Sequence, residues 1–385
     1  MDLALVFPGC HRRGGVERSV WELARHWSGS HAVTVYASEV DRDGLPADVR
    51  VVPVRPRATL GPLRPWAFAN ASRDALRGSR HDHVISFGVG AATGAADVLW
   101  VNSVHRAWLE QPGEGWRQHP ARRVLPHHQS LLALERRHYR PDGLSGVVVV
   151  ADAVANDLER LYSVPRSLAV TVHNGFDPDE FDARRRDERD ESRREIGIPV
   201  DAKVLLMVAN ELPRKGWPTL LEATARLDDP SIHVMLAGKT SPEAYRSLAE
   251  GLGLAHRVHF IGSRADVGRV HAAADLFVLP TTYEAFCLSI VEALASGLPV
   301  ITTDVPGAGD LIEPGRNGLL QNRPRDPDEL AQLIGAGLET PLLSSMTACA
   351  RDSVTELTWD RLASLAAGYL ETMPRRAQVA VRDRR

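Results

Sequence analysis

Residues 280–300 read PTTYEAFCLSIVEALASGLPV, a pattern typical of a strand end, a loop, a helix and the start of the next strand. The pattern places Glu284 at the start of that helix and Glu292, eight residues later, in its middle. Eight helical residues rise about 12 Å, too far for two carboxylates that share one scissile bond. The spacing instead predicts two carboxylates that grip opposite ends of an elongated ligand. Because the helix N-terminus between them attracts anions, a sugar nucleotide, with its hydroxyls, diphosphate and ribose, fits this pattern.

The rest of the chain alternates short apolar strands with helical segments, which predicts parallel sheets covered by helices on both faces. A length of 385 residues favours two domains over one core. The candidate strands of the first domain are Leu3–Pro8, His31–Ala37, Val49–Val54, His83–Phe87, Ala96–Asn102, Gly146–Ala151 and Ala169–His173. Those of the second domain are Lys203–Ala209, His233–Ala237, Val258–Ile261, Leu276–Leu279, Val300–Thr303 and Gly318–Leu320. We therefore expect two doubly wound α/β domains, residues 1–176 and 177–356.

Three segments lie outside this alternation. Asp177–Arg194 is dense in Asp, Glu and Arg and predicts a solvated linker followed by the start of a helix. Leu357–Met373 predicts an amphipathic helix that begins at an N-cap signal. The basic and polar residues 374–385 predict a disordered tail.

Composition excludes several classes of function. The net charge of −3 gives no reason to expect nucleic acid as a partner. The sequence contains no run of 18 apolar residues, so no membrane span is predicted. The N-terminus carries Asp2 and predicts a first strand rather than a signal peptide. The three cysteines have no metal or disulfide spacing, which favours the cytoplasm. Only three of the 46 basic residues are lysines, a bias typical of a GC-rich genome.

Two positions in the first domain are candidate ligand contacts. Gly14 and Gly15 follow the first strand and precede a helix, so that a ligand can approach the backbone closely. A plain turn explains these glycines equally well, and they do not form the dinucleotide fingerprint. His105 follows a predicted strand and is expected at the carboxyl edge of that sheet, where it reaches a sugar hydroxyl or an acceptor. A structural histidine is the alternative.

The second domain places adjacent cations, Arg214 and Lys215, at the mouth of a predicted strand. Arginine binds phosphate through two nitrogens, and lysine acts as a point charge. A solvated loop is the alternative, although a retained lysine in so lysine-poor a chain favours a ligand. Cys287 is expected to pack in the first turn of the helix, since no base neighbours it in sequence. No G-x-S-x-G elbow supports a serine nucleophile.

The segment 106–140 combines aromatic side chains with seven arginines and only three glutamates. Such interleaving suits a membrane surface or an anionic acceptor. A mobile loop with an ordinary solvated helix is the alternative. If the segment does dock on lipid, the chain would lie peripherally at the inner face of the membrane.

Together these residues resemble the retaining glycosyltransferases of glycosyltransferase family 4, and the resemblance covers nearly the whole chain. Glu284 and Glu292 are similar to the family's E-x7-E signature, and Gly14-Gly15-Val16-Glu17-Arg18 is similar to its G-G-x-E-R loop. Asn174-Gly175-Phe176-Asp177 resembles the inter-domain N-G-x-D, and Trp359-Asp360 opens a segment similar to the crossover helix. Arg214-Lys215-Gly216 resembles the members closest to lipopolysaccharide core glucosyltransferases.

The resemblance implies the GT-B fold, in which two Rossmann-like domains face a cleft and the last helix crosses back to the first domain. It implies that Glu284 holds hydroxyls of the donor sugar and Glu292 the ribose. Arg214 and Lys215 would neutralise the diphosphate in place of a metal. The remaining implied contacts are Gly15 to the diphosphate, His105 to the sugar, and the backbone N–H groups of Phe286, Cys287 and Leu288 to the sugar and phosphate.

Two departures from the family pattern stand out. Many members have Gly-Arg where this chain has Ala209-Asn210, so that Arg214 is expected to replace a missing phosphate arginine. Many have glycines where this chain has Ala285 and Cys287, which alters the loop beside the donor sugar.

The sequence therefore predicts a metal-independent retaining hexosyltransferase that uses a nucleotide-diphosphate sugar, with UDP-glucose or a related UDP-sugar as the expected donor and no cofactor. A saccharide, a lipid-linked acceptor or a natural product would receive the hexose. One alternative is another sugar-nucleotide chemistry on the same fold, such as epimerisation or hydrolysis. A second alternative is a catalytically silent sugar-nucleotide binding protein.

Overall fold

A computed structural model describes residues 1–57, 61–111, 123–239, 243–264 and 266–375. The chain divides into two compact units. Unit 1 comprises Met1–Asn174 and the chain from Trp359 onward, and unit 2 comprises Gly175–Thr358. The boundary expected from the sequence, after residue 176, lies two residues from this division.

Unit 1 is built on a seven-stranded parallel sheet in the order β5-β3-β1-β6-β7-β8-β9. Its strands are β1 Asp2–Val6, β3 Ala32–Ala37, β5 Arg50–Pro53, β6 His83–Phe87, β7 Val98–Val101, β8 Gly146–Val149 and β9 Ala169–Thr171. A separate parallel pair, β2 Gly9–Cys10 and β4 Glu39–Val40, was not predicted. The helices are α1 Val16–Ser28, α2 Arg64–Leu76, α3 His105–Glu110, α4 Pro126–His138, α5 Asp152–Tyr162 and α13 Trp359–Glu371.

The central strands of unit 1 are buried on both faces. Every residue of β6, β7 and β8 is buried, as expected for a parallel sheet covered by helices on each side. The chain runs from β1 outward through β3 and β5, and then returns to β6 on the other side of β1. The loop after β1, which carries Gly14 and Gly15, therefore lies at the topological switch point, where such sheets bind ligands.

The predicted C-terminal helix belongs to unit 1. Helix α13 packs against α1, and the indole Nε1 of Trp27 donates to the carbonyl of Ala363 at 2.8 Å. Trp359 and Leu362 are buried in this contact region. The return of the last helix to the first domain is thus confirmed. Residues 376–385 of the predicted disordered tail lie outside the described residues.

Unit 2 is built on a six-stranded parallel sheet in the order β12-β11-β10-β13-β14-β15. Its strands are β10 Lys203–Val208, β11 Ile232–Ala237, β12 Val258–Gly262, β13 Leu276–Leu279, β14 Val300–Thr303 and β15 Gly318–Gln321. The helices are α6 Arg189–Ile196, α7 Trp217–Arg226, α8 Glu243–Gly251, α9 Val267–Ala272, α10 Leu288–Ala295, α11 Pro327–Gly337 and α12 Thr340–Ala350. The switch point of this sheet lies between β10 and β13, so the loops that follow these two strands meet at its carboxyl edge.

Asp177–Arg194 was predicted as a solvated linker followed by the start of a helix, and α6 confirms the helix start, but the burial of Arg193 was not predicted. Arg193, in α6, is fully buried, and its guanidinium bonds the carboxylate of Asp275 at 2.8 Å and the carbonyl of Ala273 at 2.7 Å. The aliphatic stem can be buried because the charged head is paired. This segment therefore contributes the first helix of unit 2. Within the described part of the chain, no helix is long and apolar enough to cross a membrane.

Candidate donor site

The loops after β10 and β13 are joined by hydrogen bonds at the switch point of unit 2. The backbone N–H of Thr282 donates to the carbonyl of Arg214 at 3.0 Å, and the hydroxyl of Thr282 donates to the same carbonyl at 3.3 Å. Gly216 has φ +80°, and a Cβ there would lie 2.2 Å from the carbonyl oxygen of Pro280. Only glycine fits so close a crossing at positive φ. The two loops consequently present their side chains at a fixed spacing.

Glu284 is the centre of this site. Its carboxylate oxygen Oε1 accepts from Lys215 Nζ at 2.6 Å, Arg214 Nη1 at 2.9 Å and the Thr281 hydroxyl at 2.9 Å. The Glu284 side chain is only 7% exposed. In the described structure all three of these bonds end on Oε1, and Oε2 takes part in none of them. The structure thus brings together three of the predicted catalytic residues, Glu284, Lys215 and Arg214.

Each charged group in this cluster stabilises the ionised form of its neighbours. Burial alone would raise the pKa of Glu284, but the adjacent Lys215 and Arg214 outweigh it and lower that pKa. Burial likewise opposes the charge on Lys215, but the charge of the adjacent Glu284 and its hydrogen bond favour the ammonium, and the pKa of Lys215 is raised. The carboxylate is therefore ionised at neutral pH, and both cations stay charged beside it. The cluster suits binding of an anion and of sugar hydroxyls better than proton transfer.

Helix α10 begins later than the sequence predicts. Its first residue is Leu288, Cys287 takes the N-cap position in an extended conformation, and Glu284 lies in the preceding loop. The 12 Å helical rise expected between Glu284 and Glu292 is therefore wrong, because only the part from Leu288 onward is helical. The reason is a contact from a distant loop, since the Cys287 N–H donates to the carbonyl of Gly307 at 2.9 Å. Glu292 does lie in the middle of α10, where it is 5% exposed.

The same contact changes the set of backbone donors available to an anion. The Cys287 N–H donates to the carbonyl of Gly307, whereas the predicted contact of this group with sugar or phosphate stays a prediction. Phe286 lies in the loop before the helix, and Leu288 lies in its first turn. The Leu288 and Ser289 N–H groups have no partner among the described residues. They are the orphan donors of the helix N-terminus.

Gly307 also fixes the loop that carries the unusual Ala285 and Cys287. It has φ +78°, and a Cβ there would lie 2.4 Å from the carbonyl oxygen of Ala285. Its N–H donates to the carboxylate of Asp310 at 2.9 Å. The glycine that this loop requires is thus supplied by the segment after β14 rather than by positions 285 and 287.

Cys287 is a packing residue, as predicted, although it lies at the N-cap and not in the first turn. The thiol is 2% exposed, 3.8 Å from Lys215 Nζ and 3.3 Å from the Ser289 hydroxyl. Burial raises the pKa of this thiol despite the nearby Lys215. A neutral buried thiol is a poor nucleophile.

The glycine loop of unit 1 has one constrained and one open position. Gly14 has φ +95°, and a Cβ there would lie 2.5 Å from Glu17 Oε2. Gly15 is the N-cap of α1, and a Cβ at this position would meet nothing within 4 Å. Gly14 is therefore required by the turn, and Gly15 leaves room beside the backbone. These features are those of a loop that a ligand approaches closely.

His105 is the first residue of α3, directly after β7, as the sequence predicts. Its Nε2 lies 3.0 Å from His128 Nδ1. Its ring stacks on the ring of Trp108, with 5.3 Å between the ring centroids. The carboxylate of Glu135, from α4, accepts from the backbone N–H groups of His105 at 2.6 Å and Arg106 at 3.1 Å. Sequence reasoning missed Glu135 and His128, because neither contact leaves a local pattern.

The segment 106–140 is only partly described, and its residues 112–122, with Trp116 and Arg117, lie outside the described residues. In the described part, Leu132 and Tyr139 belong to the core of unit 1. Val124 and Leu125 are 68% and 36% exposed just before α4. Leu132 and Tyr139 are therefore not available to a membrane or an acceptor. Within the described ranges, no three His, Cys, Asp or Glu side chains are grouped as metal ligands.

Two family models match the chain, one for each unit. The model described as Glycosyltransferase Family 4 matches residues 13–180, and the model described as Glycosyl transferases group 1 matches residues 188–351. Together they cover most of the chain, and the second contains the Arg214, Lys215 and Glu284 cluster.

Among curated proteins, the chain is similar to the lipopolysaccharide glucosyltransferase WaaG of Escherichia coli, with 28% identity over 225 residues, 57% of this chain and 60% of that protein. It is also similar to the D-inositol 3-phosphate glycosyltransferase of Corynebacterium urealyticum, with 28% identity over 246 residues, 60% of this chain and 58% of that protein. The chain thus matches less than two thirds of the length of each relative.

Solved structures share the fold over nearly the whole chain. A crystal structure of WaaG has a TM-score of 0.83 at 24% identity and covers 96% of this chain and 100% of its own. A structure of Anabaena Alr3699/HepE in complex with UDP and glucose has a TM-score of 0.69 at 22% identity and covers 97% of this chain and 100% of its own. These likenesses confirm the predicted α/β GT-B fold class with its two Rossmann-like units.

Proposed function

The chain belongs to glycosyltransferase family 4, and we propose that it transfers a hexose, with retention of configuration, from UDP-glucose or a related UDP-sugar to an acceptor hydroxyl. The observation that carries this proposal is the contact of Lys215 and Arg214 with Glu284 at the switch point of unit 2. Two cations and a hydroxyl-binding carboxylate lie where doubly wound sheets bind ligands. A nucleotide-diphosphate sugar needs both kinds of group, since its diphosphate pairs with cations and its sugar hydroxyls bond a carboxylate.

The proposed reaction breaks the bond between the sugar C1 and the oxygen of the β-phosphate. The acceptor oxygen bonds C1 from the same face, and the departing phosphate oxygen takes the acceptor proton. Lys215, Arg214 and the Leu288 N–H stabilise the negative charge that develops on the leaving diphosphate. Because these groups supply the positive charge, we propose that the reaction requires no metal ion.

Glu284 is assigned to the hydroxyls of the donor sugar through Oε2, and not to nucleophilic attack. Its carboxylate is held by Lys215 and Arg214, and its lowered pKa makes it a weak base. Glu292 is assigned to the ribose. In unit 1, Gly15 is assigned to the diphosphate and His105 to the sugar. These assignments follow the family resemblance position by position.

For the donor, the support comes from relatives: WaaG is named as a glucosyltransferase, and the Anabaena protein was solved with UDP and glucose. For the acceptor, we propose a saccharide, a lipid-linked saccharide or a natural product. The exposed Val124 and Leu125, together with the arginines of the segment 106–140, support a peripheral contact with the inner face of a membrane. The proposed location is the cytoplasm, with the chain at the inner face of this membrane.

A donor panel tests the proposal. Release of UDP, GDP and TDP from the corresponding glucose donors is measured with an acceptor mixture, and the product linkage is assigned by NMR. The expected result is selective UDP release with the α-anomeric linkage of the donor kept. Selective GDP release would overturn the uridine donor, and an inverted linkage would overturn retention. Free glucose, or an epimer of the donor, as the sole product would favour hydrolysis or epimerisation.

A further inference from the structure

Glu211 is a carboxylate of the donor site that the family signatures do not include. It lies in the loop after β10, and its backbone carbonyl accepts from the N–H groups of Arg214 at 3.1 Å and Lys215 at 3.0 Å. Its side chain, 58% exposed, bonds Arg214 Nε through Oε2 at 2.9 Å. The backbone of Glu211 thus shapes the loop, and its side chain contacts the guanidinium separately.

The nitrogens of Arg214 are unequally occupied. Nη1 donates to the carbonyl of Tyr283 and to Glu284 Oε1, which uses both of its hydrogens. Nε donates to Glu211, and Nη2 bonds none of the described residues. An arginine binds phosphate through two parallel N–H groups. Because Nη1 is saturated, the pair left for a phosphate is Nε with Nη2, and Glu211 holds half of it.

The charges of the four groups also balance. Arg214 and Lys215 carry two positive charges, and Glu211 and Glu284 carry two negative charges. A diphosphate entering this cluster therefore meets no net positive charge unless one carboxylate moves away. Glu284 is buried and bonded three times, whereas Glu211 is exposed and bonded by its side chain to Arg214. Glu211 is the carboxylate that can swing into water.

We infer that the Glu211 carboxylate occupies the phosphate position on Arg214, and that the donor diphosphate displaces it when it binds. Glu211 thereby weakens the binding of the donor and of the nucleotide product and so favours product release. The inference rests on the proposed function for the identity of the ligand, but its chemistry requires only a diphosphate.

The variant Glu211→Gln tests this inference. Glutamine keeps the length and an oxygen acceptor but removes the competing charge. The dissociation constants of UDP, uridine and inorganic pyrophosphate are measured by calorimetry at low salt and in 1 M NaCl. UDP and pyrophosphate are expected to bind about threefold to tenfold more tightly, and uridine to bind unchanged. The gain should shrink in 1 M NaCl, because Glu211 is 58% exposed and salt screens exposed charges.

Glu313→Gln is the matched control. Glu313 forms an exposed pair with Arg316 at the same three-residue spacing, and it lies near Asn317, whose carbonyl bonds the first residue of β14 at the opposite edge of the sheet. Its removal should leave UDP binding unchanged. An equal gain in Glu313→Gln would show a general charge effect and overturn the inference.

A merely structural Glu211 would give the opposite result. If the side chain only orients Arg214, then Glu211→Gln weakens or leaves unchanged the binding of pyrophosphate, and the inference is wrong. Glu211→Ala provides a second variant, in which the expected gain persists without any side-chain acceptor. If UDP binds neither the wild type nor Glu211→Gln, but pyrophosphate binds more tightly to Glu211→Gln than to the wild type, then the uridine donor is rejected and the inference on Glu211 stands.

Discussion

Replacement of Glu284 by glutamine is the perturbation whose size the structure defines best. The carboxylate is 7% exposed and bonds Lys215 Nζ at 2.6 Å and Arg214 Nη1 at 2.9 Å. Loss of its charge leaves the largely buried Lys215 without a counter-ion, and Arg214 keeps only the exposed Glu211. Breaking a buried ion pair from one side costs about 3–5 kcal/mol. Because glutamine keeps an acceptor oxygen, we expect the lower end, about 3 kcal/mol.

Differential scanning calorimetry measures this loss. For a unit of this size, each kcal/mol shifts the unfolding midpoint by about 2–4 °C, so the unit 2 transition should fall by about 6–12 °C. This transition is identified as the one that UDP raises. The control Glu313→Gln removes an exposed pair with Arg316, and such pairs contribute at most about 1 kcal/mol.

The double variant Glu284→Gln with Lys215→Met separates charge from shape. Since the second change removes Lys215, the cation that Glu284→Gln leaves without a counter-ion, we expect the double variant to be more stable than the sum of the single losses predicts, by about 1–2 kcal/mol. Transfer activity should stay absent. Strict additivity of the two losses, or an unchanged transition in Glu284→Gln alone, would refute the account of this cluster.

Three further results concern pH, a loop glycine and unit 1. The pKa of Glu284 is lowered in the folded chain from its ordinary 4.5, so its contribution to stability is fully present above pH 4.5 and is lost as the pH falls through the lowered value. The unfolding midpoints of wild type and Glu284→Gln should therefore converge at low pH. A gap that stays constant with pH would contradict this. Gly307→Ala should lower stability by about 1–3 kcal/mol and raise the donor KM, since its Cβ would meet the carbonyl of Ala285 at positive φ; urea unfolding and UDP-release kinetics check this, and wild-type values would contradict it. Glu135→Gln should reduce kcat with the Kd of UDP unchanged, because it weakens the contact that orients His105; an altered Kd would contradict a role confined to unit 1.

Most of the fold follows from patterns that are local in the sequence. The seven strands of one sheet and the six of the other coincide with the predicted apolar runs, and the central strands do so because strands buried on both faces must be apolar throughout. The two-residue strands Gly9–Cys10 and Glu39–Val40 were missed because they are too short to show any period. The same alternation predicts Arg214 and Lys215 at the mouth of a strand, and the structure adds their contact with Glu284, which no sequence pattern predicted.

The errors arise where a distant residue decides the local structure. The carbonyl of Gly307 takes the Cys287 N–H and delays the start of α10, so Glu284 lies in a loop. Asp275, more than 80 residues along the chain, makes a buried residue of Arg193. Glu135 bonds the start of α3 from another helix. None of these contacts has a spacing that sequence reasoning recognises.

The central claim is that the Arg214, Lys215 and Glu284 cluster binds the diphosphate of a sugar donor and drives transfer without a metal ion. The most direct measurement is UDP release from UDP-glucose in EDTA by wild type, Lys215→Ala and the control Lys203→Ala, whose lysine pairs with Asp229 at the surface. We predict turnover in the wild type and the control, and near-complete loss in Lys215→Ala with the fold retained. Full activity in Lys215→Ala, or turnover that EDTA abolishes in the wild type, would contradict the claim.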